Sequence, residues 1–225
     1  MTKGDEIVGI NRDAYDTIAA PYGKRIESLV EVEDSWIAGF TKKLQDVFLE
    51  QISAGDSAKI LEIGPGNGSA ARYFLSNGAK VTGIDISVKM MEQAEKKAPK
   101  AVFIEMDMRK IILKRIIPTS KKFDGVWADG CVYHVAKEDI PKVFKGVHRA
   151  LKPGGIFFFN FKSGKGEVFE DDPRSFGRVP RFYAYYHSKE MREIVEREGF
   201  EVMTLRHYPK KVLGEKIIYV SAIKK

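Results

Sequence analysis

Glycines are concentrated where a short apolar run gives way to a helical pattern. Gly64, Gly66 and Gly68 follow the apolar run 59–63, which predicts a buried strand, and Ser69 then begins the helical pattern. Glycine lets the backbone approach a ligand closely, and a helix N-terminus offers N–H groups that have no partner within the helix. The stretch therefore predicts a ligand-binding loop between a strand and a helix.

Acidic residues lie at the ends of the same predicted strands. Glu62 precedes the loop, Asp85 ends the second apolar run and Asp107 follows the third. A dinucleotide site would take Gly-x-Gly-x-x-Gly/Ala, whereas Ser69 follows the third glycine here. A carboxylate at the second strand end suits a ribose diol, because it accepts both hydroxyl protons. Three carboxylates along one edge favour a cationic nucleoside, and S-adenosylmethionine has cationic sulfonium and ammonium groups.

The remaining sequence supplies the elements that would hold these residues together. Short apolar runs alternate with amphipathic stretches, a pattern typical of βα units around a parallel sheet. The last two strands are predicted to form an antiparallel hairpin. We predict strands over 59–63, 80–84, 101–105, 123–128, 156–161, 200–208 and 216–223, and helices over 34–54, 69–77, 88–98, 137–151 and 188–198.

Five stretches in this order resemble the motifs of the class I S-adenosylmethionine-dependent methyltransferases, in particular the members that act on small molecules. The resemblance covers about residues 55–162, and the helix and hairpin at 188–223 fit the same fold. The matching stretches are ILEIGPGNG (60–68), VTGIDIS (81–87), FIEMDMR (103–109), FDGVWADGCVYHV (123–135) and HRALKPGGIFFF (148–159).

The resemblance implies a doubly wound, Rossmann-like three-layer α/β sandwich. Its sheet would have seven mostly parallel strands, with the last strand antiparallel. We expect a single methyltransferase domain, divided into an N-terminal helical cap (1–54), a cofactor-binding core (55–162), a variable substrate cap (163–187) and a C-terminal helix with a β-hairpin (188–225). The 163–187 segment is rich in glycine, proline, arginine and aromatic residues without a sustained period, so we predict irregular structure there.

The same resemblance implies how the cofactor would be held. Asp85 would bind the ribose hydroxyls, with Ile86 against the adenine. Asp107 would accept a hydrogen bond from the adenine amino group, with the backbone of Met108 beside it. Other residues expected at the cofactor, from the methionyl and ribose parts to the sulfonium, are Glu62, Gly64, Pro65, Gly66, Asn67, Gly68, Met90, Ala128 and Asp129.

Two further stretches bear on the same site. YDTIAAPYGKR (15–25) resembles the entry helix of small-molecule members, in which Tyr15, Tyr22 and Arg25 would close over the methionine carboxylate. A surface helix that packs its tyrosines is the alternative. Residues 109–122 are longer and richer in lysine than the short link that often stands there in the family. Their apolar residues predict either an extra helical turn or a lip on the site.

Methyl transfer from a sulfonium is an in-line displacement, for which the protein supplies mainly orientation and a dry cavity. A general base helps only where the acceptor must lose a proton. His134 and Tyr133 follow the fourth strand and are candidates for a base or for orienting the acceptor, with packing as the alternative. Candidates for contacting the acceptor, which would otherwise pack on the sheet or stay in water, are Arg181, Tyr183, Tyr185 and His187.

Composition limits the remaining possibilities. The 225 residues include 44% hydrophobic and 31% charged residues, which favours a folded domain over extended disorder. No apolar run approaches the roughly 20 residues that span a bilayer. The N-terminal residues lack the apolar run of a secretion signal, and one cysteine cannot form an intramolecular disulfide. We expect a cytoplasmic monomer or homodimer with no membrane partner and no metal site.

Nucleic acid is a less favoured partner despite the formal net charge of +7. The lysines are scattered among acidic residues, which is typical of a solvated surface. Gly130 precedes Cys131, where cytosine-5 RNA methyltransferases carry a Pro-Cys pair, so a buried small residue is favoured over a nucleophile. The run after the fourth strand also lacks the prolines of base-amino methyltransferases.

The preferred hypothesis is methyl transfer to a small-molecule acceptor, with S-adenosylhomocysteine as the other product. Three alternatives remain open. The first is an RNA or protein methyltransferase that uses the basic surface, and the second is a non-catalytic S-adenosylmethionine-binding module that regulates a partner. The third is a nicotinamide-dependent oxidoreductase, which the glycine spacing and the three acids disfavour.

Overall fold

A computed structural model describes residues 2–30, 36–52, 57–116, 122–171, 179–208 and 217–225. Most predicted elements are present with shifts of a few residues at their ends. The helices are α1 (Lys3–Val30), α2 (Trp36–Ile52), α3 (Ser69–Ser76), α4 (Val88–Lys97), α5 (Leu113–Ile116), α6 (Ile140–Ala150) and α7 (Ser188–Arg197). The strands are β1 (Lys59–Ile63), β2 (Lys80–Asp85), β3 (Val102–Glu105), β4 (Phe123–Ala128), β5 (Leu151–Ser163), β6 (Gly166–Asp171), β7 (Pro180–Tyr186), β8 (Phe200–His207) and β9 (Ile217–Lys224).

The central sheet has the order β3-β2-β1-β4-β5-β9-β8. Its first five strands are mutually parallel, and β9 runs antiparallel to both β5 and β8. This confirms the predicted α/β sandwich with an antiparallel final strand. The nine strands exceed the predicted seven because β6 and β7 form an additional antiparallel hairpin, and β7 also pairs in parallel with the last two residues of β5.

That hairpin corrects the prediction of irregular structure over 163–187. Five of the seven residues of β7 are buried: Arg181, Phe182, Tyr183, Ala184 and Tyr186. Neighbouring strand residues point to opposite faces, so a strand buried on both faces shows no polar–apolar alternation in its sequence. Residues 172–178 of the predicted substrate cap lie outside the described residues.

A smaller correction concerns residues 152–155, which lie before the strand predicted over 156–161. They belong to β5, which already pairs with β4 at Leu151 and then shifts register before Ile156. Gly154 has a left-handed φ of 71°, which suits this irregularity. Residues 152–155 therefore form a bulge within a longer strand.

Helices cover both faces of the sheet. On one face, Phe48 of α2 and Phe74 of α3 each pack edge-on against Trp127 of β4. The two phenylalanine rings also contact each other, and all three side chains are buried. On the other face, Phe144 of α6 contacts Phe157 of β5. The two cores leave the carboxyl ends of the parallel strands at one edge, where open α/β sheets bind ligands.

Helix α1 crosses this edge and is fastened to it by buried polar groups. The side chain of Asn11 donates to the carbonyl of His134 at 3.0 Å and accepts from the backbone N–H of Phe182 at 2.9 Å. Asp16 accepts from the Ser87 hydroxyl at 2.6 Å and from the backbone N–H of Lys89 at 3.1 Å, at the start of α4. The helix is thereby fixed to β7, to the segment after β4 and to α4.

Arg109 holds the N-terminal end of α1 from the other side. Its guanidinium, whose side chain is 6% exposed, contacts Asp107 at 2.7 Å, Asp5 of α1 at 2.8 Å and Asp139 at 3.0 Å. Further along the chain, α5 is a four-residue helix, so the described part of 109–122 contains the predicted extra helical turn. Residues 117–121 lie outside the described residues.

Arg109→Ala is expected to lower the free energy of unfolding by about 3 kcal/mol, because it leaves neighbouring carboxylates without their shared counter-charge. Lys110→Ala is the matched control, since the Lys110 side chain is 67% exposed and contacts only Asp5 among these carboxylates, at 3.4 Å. Its loss should stay below about 0.5 kcal/mol. Urea denaturation of both variants makes the comparison, and equal losses would contradict the bridging role of Arg109.

Candidate functional site

A cavity opens at the carboxyl edge of β1, β2 and β4, beneath α1. The space between its walls is about 610 Å³, a volume that includes solvent at its open side. Ten of the residues predicted for the site line this cavity. The lining residues are Asn11, Tyr15, Tyr22, Ile63, Gly64, Gly66, Ile84, Asp85, Ile86, Met90, Met106, Met108, Asp129, Gly130, Cys131 and His134.

The glycine loop forms one wall of the cavity, as predicted. Gly64 has a φ of 69°, and a Cβ there would lie 2.8 Å from the Cβ of Cys131. Gly68 has a φ of 80°, and its Cβ would lie 2.7 Å from the Cα of Ala94 in α4. Both positions therefore exclude a side chain, the first beside the cavity and the second where α3 packs on α4.

Other loop residues support the wall from behind. Pro65, Asn67 and Gly68 are buried but do not line the cavity. The Asn67 side chain donates to the carbonyl of Gly23 in α1 at 3.3 Å and accepts from the backbone N–H of Ser69 at 3.2 Å. These residues therefore fix the loop to α1 and to the start of α3.

Asp85 and Asp129 line this cavity, and the buried Glu62 lies near both of them without being a lining residue. Glu62 is 2% exposed, and its Oε2 has no hydrogen-bond partner among the described residues. Burial, followed by the nearby charge of Asp129 and Asp85, raises the pKa of Glu62 to about 8. Burial likewise raises the pKa of Asp85 to about 6 and that of Asp129 to about 6. A cation bound here would favour the ionised form of all three groups.

Hydrogen bonds orient two of these carboxyl groups. Asp85 accepts from the backbone N–H of Ser87 at 2.9 Å. Asp129 accepts from the side-chain amide of Asn160, whose oxygen in turn accepts from the backbone N–H of Gly130 at 2.9 Å. Ala128, also predicted for the site, is fully buried behind Asp129 and does not line the cavity.

Asp107 does not reach the cavity, although it was predicted to bind adenine. Both of its carboxylate oxygens accept from Arg109, at 2.7 to 3.2 Å. The neighbouring Met106 and Met108 line that part of the cavity, and Ile86 and Met90 line it from β2 and α4. These side chains form an apolar surface that suits a flat aromatic ligand. A contact between Asp107 and adenine stays a prediction.

Tyr15 and His134 both line the cavity and contact each other. The Tyr15 hydroxyl is 2.7 Å from Nε2 of His134, and Nδ1 of His134 is 2.7 Å from the carbonyl oxygen of Phe182. The carbonyl can only accept, so Nδ1 carries a proton; in the neutral ring, Nε2 then accepts from Tyr15. Tyr15 was predicted to close over the cofactor carboxylate, but its hydroxyl is directed to His134 instead.

The other entry-helix residues differ in their positions. Tyr22 lines the cavity with its ring edge-on to Tyr15, the ring centres 6.1 Å apart. Arg25 lies one turn further along α1 and is not among the described lining residues. Its predicted contact with the methionine carboxylate therefore stays a prediction.

The residues predicted to contact the acceptor do not line the described cavity. Arg181 is buried and its guanidinium donates to the Tyr15 hydroxyl at 3.3 Å. Tyr183 lies under the ammonium of Lys162 at 3.7 Å, and the nearby ring of Tyr133 stacks on Tyr183. Tyr133 thus packs beside the site, which is the alternative stated for it.

Two further acceptor candidates have other partners. The Tyr185 hydroxyl donates to Glu170 at 2.6 Å. His187 is exposed and precedes α7, where its backbone N–H donates to Glu190 at 3.3 Å. The prediction that His187 faces an acceptor is not supported by this position, and the alternative that it begins the last helix describes it.

Sequence reasoning missed several residues of the site, and three of them have identifiable roles. Met106 lines the cavity, Asn160 holds Asp129, and Asn11 joins α1 to the segment after β4. A signal existed for Asn11, because it shares one face of α1 with buried Ile7 and Ile18 at helical spacing. A polar residue within an apolar stripe indicates a buried hydrogen bond.

Cys131 is buried, as predicted. Its thiol donates to the carbonyl of Ile63 at 3.1 Å. Burial, reinforced by the nearby carboxyl charges, raises the pKa of the thiol well above its ordinary value. A neutral thiol at the cavity wall is a poor nucleophile.

Comparison with known proteins agrees with this geometry. Residues 61–159 match the family described as methyltransferase domain. A malonyl-[acyl-carrier protein] O-methyltransferase of Pseudescherichia vulneris is 28% identical over 142 residues, 63% of this chain and 52% of that protein. A demethylmenaquinone methyltransferase of Chlorobaculum tepidum is 32% identical over 149 residues, 65% of this chain and 57% of that protein. The chain spans about half the length of the curated relatives it matches.

Solved structures share the fold along the whole chain. A magnesium protoporphyrin IX methyltransferase from Synechocystis, with bound S-adenosylmethionine, has a TM-score of 0.70 at 16% identity and is covered over 100% of both chains. A 1,6-didemethyltoxoflavin-N1-methyltransferase from Burkholderia thailandensis has a TM-score of 0.69 at 18% identity, over 100% of this chain and 92% of that one.

The fold is Rossmann-like, as in the solved structures. Within it, residues 61–159 are similar to the methyltransferase-domain family. Within the described ranges, no helix combines the length and apolar character needed to cross a bilayer.

Glu62→Gln is expected to flatten the pH dependence of stability. The raised pKa means that the folded protein holds this proton more tightly than the unfolded chain, so the stabilisation is full below about pH 4.5 and is lost as pH rises through about 8. At pH 8 the variant should be more stable than the native protein by on the order of 2–4 kcal/mol.

Urea denaturation of the ligand-free protein between pH 5 and 8.5 tests this expectation. Glu95→Gln, at an exposed position on α4, is the control for removing a carboxylate from the surface. Identical pH profiles for the two variants would show that Glu62 is not held protonated by burial.

Proposed function

We propose that this chain binds S-adenosylmethionine in the cavity and transfers its methyl group to a small-molecule acceptor. The observation that carries the proposal is a group of three neighbouring carboxyl groups at the glycine loop: Asp85 and Asp129 line the cavity, and Glu62 is buried near both. Burying three carboxyl groups together is unfavourable for the isolated protein. A cationic ligand offsets that cost, whereas an anionic dinucleotide would add to it.

The residues present fit this cofactor. Asp85 follows β2 and can accept from the ribose hydroxyls, while Ile86, Met90 and Met108 offer apolar surface to the adenine. We assign Glu62 and Asp129 to the sulfonium and ammonium groups, whose positive charge their carboxyl groups would offset. When bound, the cofactor supplies a methyl group on a positively charged sulfur, which is already activated for displacement.

The acceptor would enter at the end of the cavity formed by Tyr15, Gly130 and His134. Helix α1 roofs this end, which favours a small molecule over a nucleic acid duplex. The named relatives act on malonyl-[acyl-carrier protein] and demethylmenaquinone. These acceptors differ, so we propose for this chain only that the acceptor has a small reacting group.

We also propose that the chain is divided into a cap (1–54), a core (55–162), a substrate cap (163–187) and a C-terminal part (188–225).

Asp85→Ala is expected to weaken binding of S-adenosylmethionine by about 1–3 kcal/mol, the range for losing a partner of charged or paired hydrogen bonds. Asp13→Ala, which removes a carboxylate that is 78% exposed on α1, should leave the affinity unchanged. Calorimetric titration of both variants makes the comparison. A folded Asp85→Ala protein with native affinity would contradict the placement of the ribose.

The transfer itself is tested with methyl-labelled S-adenosylmethionine and an extract of the source cells. Label is counted in the small-molecule, RNA and protein fractions, with Asp85→Ala as the control for enzyme dependence. Enzyme-dependent label in the small-molecule fraction is the expected result. Label confined to RNA or protein would overturn the small-molecule acceptor, and binding without any transfer would indicate a regulatory module.

A further inference from the structure

We propose that Tyr15 and His134 form a proton relay that removes a proton from the methyl acceptor. The proposal rests on the proposed function and assigns Tyr15 to the acceptor side of the cavity rather than to the cofactor carboxylate. It also defines the acceptor class as a molecule whose reacting oxygen or nitrogen carries a proton until it is methylated.

The hydrogen bonds around His134 give the relay its direction. Nδ1 donates to the carbonyl of Phe182 in β7 at 2.7 Å. The backbone N–H of the same residue donates to Asn11, which holds this carbonyl in place. Nε2 is left as an acceptor, and the Tyr15 hydroxyl lies 2.7 Å from it. His134 cannot take a proton directly from the acceptor, because Tyr15 occupies the one ring nitrogen that is able to accept.

Both residues reach the place where an acceptor would lie. Tyr15 and His134 line the cavity, together with Gly130 and Asp129 from the segment after β4. One lone pair of the Tyr15 hydroxyl oxygen accepts from Arg181. The other lone pair can accept a proton while the hydroxyl donates its own. His134 is thus a general base whose ring is oriented by a third group, the Phe182 carbonyl.

The charged groups around the pair are compatible with proton transfer. Burial raises the pKa of Tyr15, and the positive charge of Arg181, 3.3 Å from the hydroxyl, opposes that rise. Asp85 and Cys131 also face Tyr15. The His134 ring lies among the rings of Tyr133 and Tyr183, both about 4.8 Å away between centres.

Methyl transfer and proton transfer are coupled in this relay, and both atoms and charge are conserved. The acceptor oxygen or nitrogen forms a bond to the methyl carbon, the carbon–sulfur bond breaks, and its electron pair stays on sulfur. The acceptor proton moves to the Tyr15 oxygen while the Tyr15 proton moves to Nε2 of His134. The positive charge of the sulfonium thereby ends on the imidazolium, which later releases its proton to water.

Two substitutions separate the members of the relay. Tyr15→Phe removes the hydroxyl and keeps the ring in α1. His134→Asn keeps an amide near the position of Nδ1, able to donate to the Phe182 carbonyl, and removes the final proton acceptor. Tyr73→Phe is the control, because it removes a tyrosine hydroxyl bonded to Asp46 away from the cavity.

The first measurement needs no acceptor and no cofactor. Nitrogen-15 spectra of the ligand-free protein, which has four histidines, report the tautomer of each ring, and loss of a signal in His134→Asn assigns that residue. We expect a protonated Nδ1 in His134 and a shift of its Nε2 resonance in Tyr15→Phe but not in Tyr73→Phe. A protonated Nε2 with a bare Nδ1 in the native protein would overturn the relay.

The second measurement compares transfer of labelled methyl groups to the small-molecule fraction of the cell extract. Tyr15→Phe and His134→Asn should each lower the rate about 100-fold or more at neutral pH, within the usual contribution of a general base. Binding of S-adenosylmethionine should change less than about threefold. The loss in Tyr15→Phe should shrink at higher pH, because the acceptor then ionises without help.

The outcomes distinguish the two proposals. A native protein that fails to bind S-adenosylmethionine overturns the proposed function and the relay with it. Normal cofactor binding with undiminished transfer by Tyr15→Phe overturns the relay alone, and so does a loss of transfer that is the same at every pH. If Tyr15→Phe does not fold, the tautomer of native His134 and the rate of His134→Asn still decide the question.

Discussion

Three carboxyl groups withheld from bulk water impose the main electrostatic constraint on this molecule. Glu62, Asp85 and Asp129 have pKa values raised by burial to about 8, 6 and 6. Parallel strands bring them together, because all their carboxyl ends meet at one sheet edge. Such a group destabilises the isolated protein near neutral pH and suits a cation, so stability and ligand binding are opposed at this edge.

Helix α1 resolves part of this opposition by covering the edge with specific bonds. Asn11 satisfies a carbonyl after β4 and an N–H of β7, while Asp16 accepts from two donors at the start of α4. Arg109 holds the other end of the helix through Asp5. A helix fixed at these points excludes water from the carboxyl groups and positions its own tyrosines over the cavity.

The β6–β7 hairpin adds to this common fold the contacts that hold Tyr15 and His134. Its Phe182 carbonyl fixes the orientation of the His134 ring, and its Arg181 approaches the Tyr15 hydroxyl. The seven-stranded sheet beneath is shared with methyltransferases of only 16% to 18% identity. Acceptor chemistry therefore depends on the segments added to the sheet more than on the sheet itself.

The sequence by itself determined the sheet, the glycine loop and the acids at the strand ends, because burial periodicity and backbone freedom are local properties of the chain. Contacts between distant segments depend on how elements dock. Only the tertiary structure could direct Asp107 to Arg109 and join Tyr15 to His134 across 119 positions. It also decided that β7 is a strand, since burial on both faces removes the alternation by which a strand is recognised.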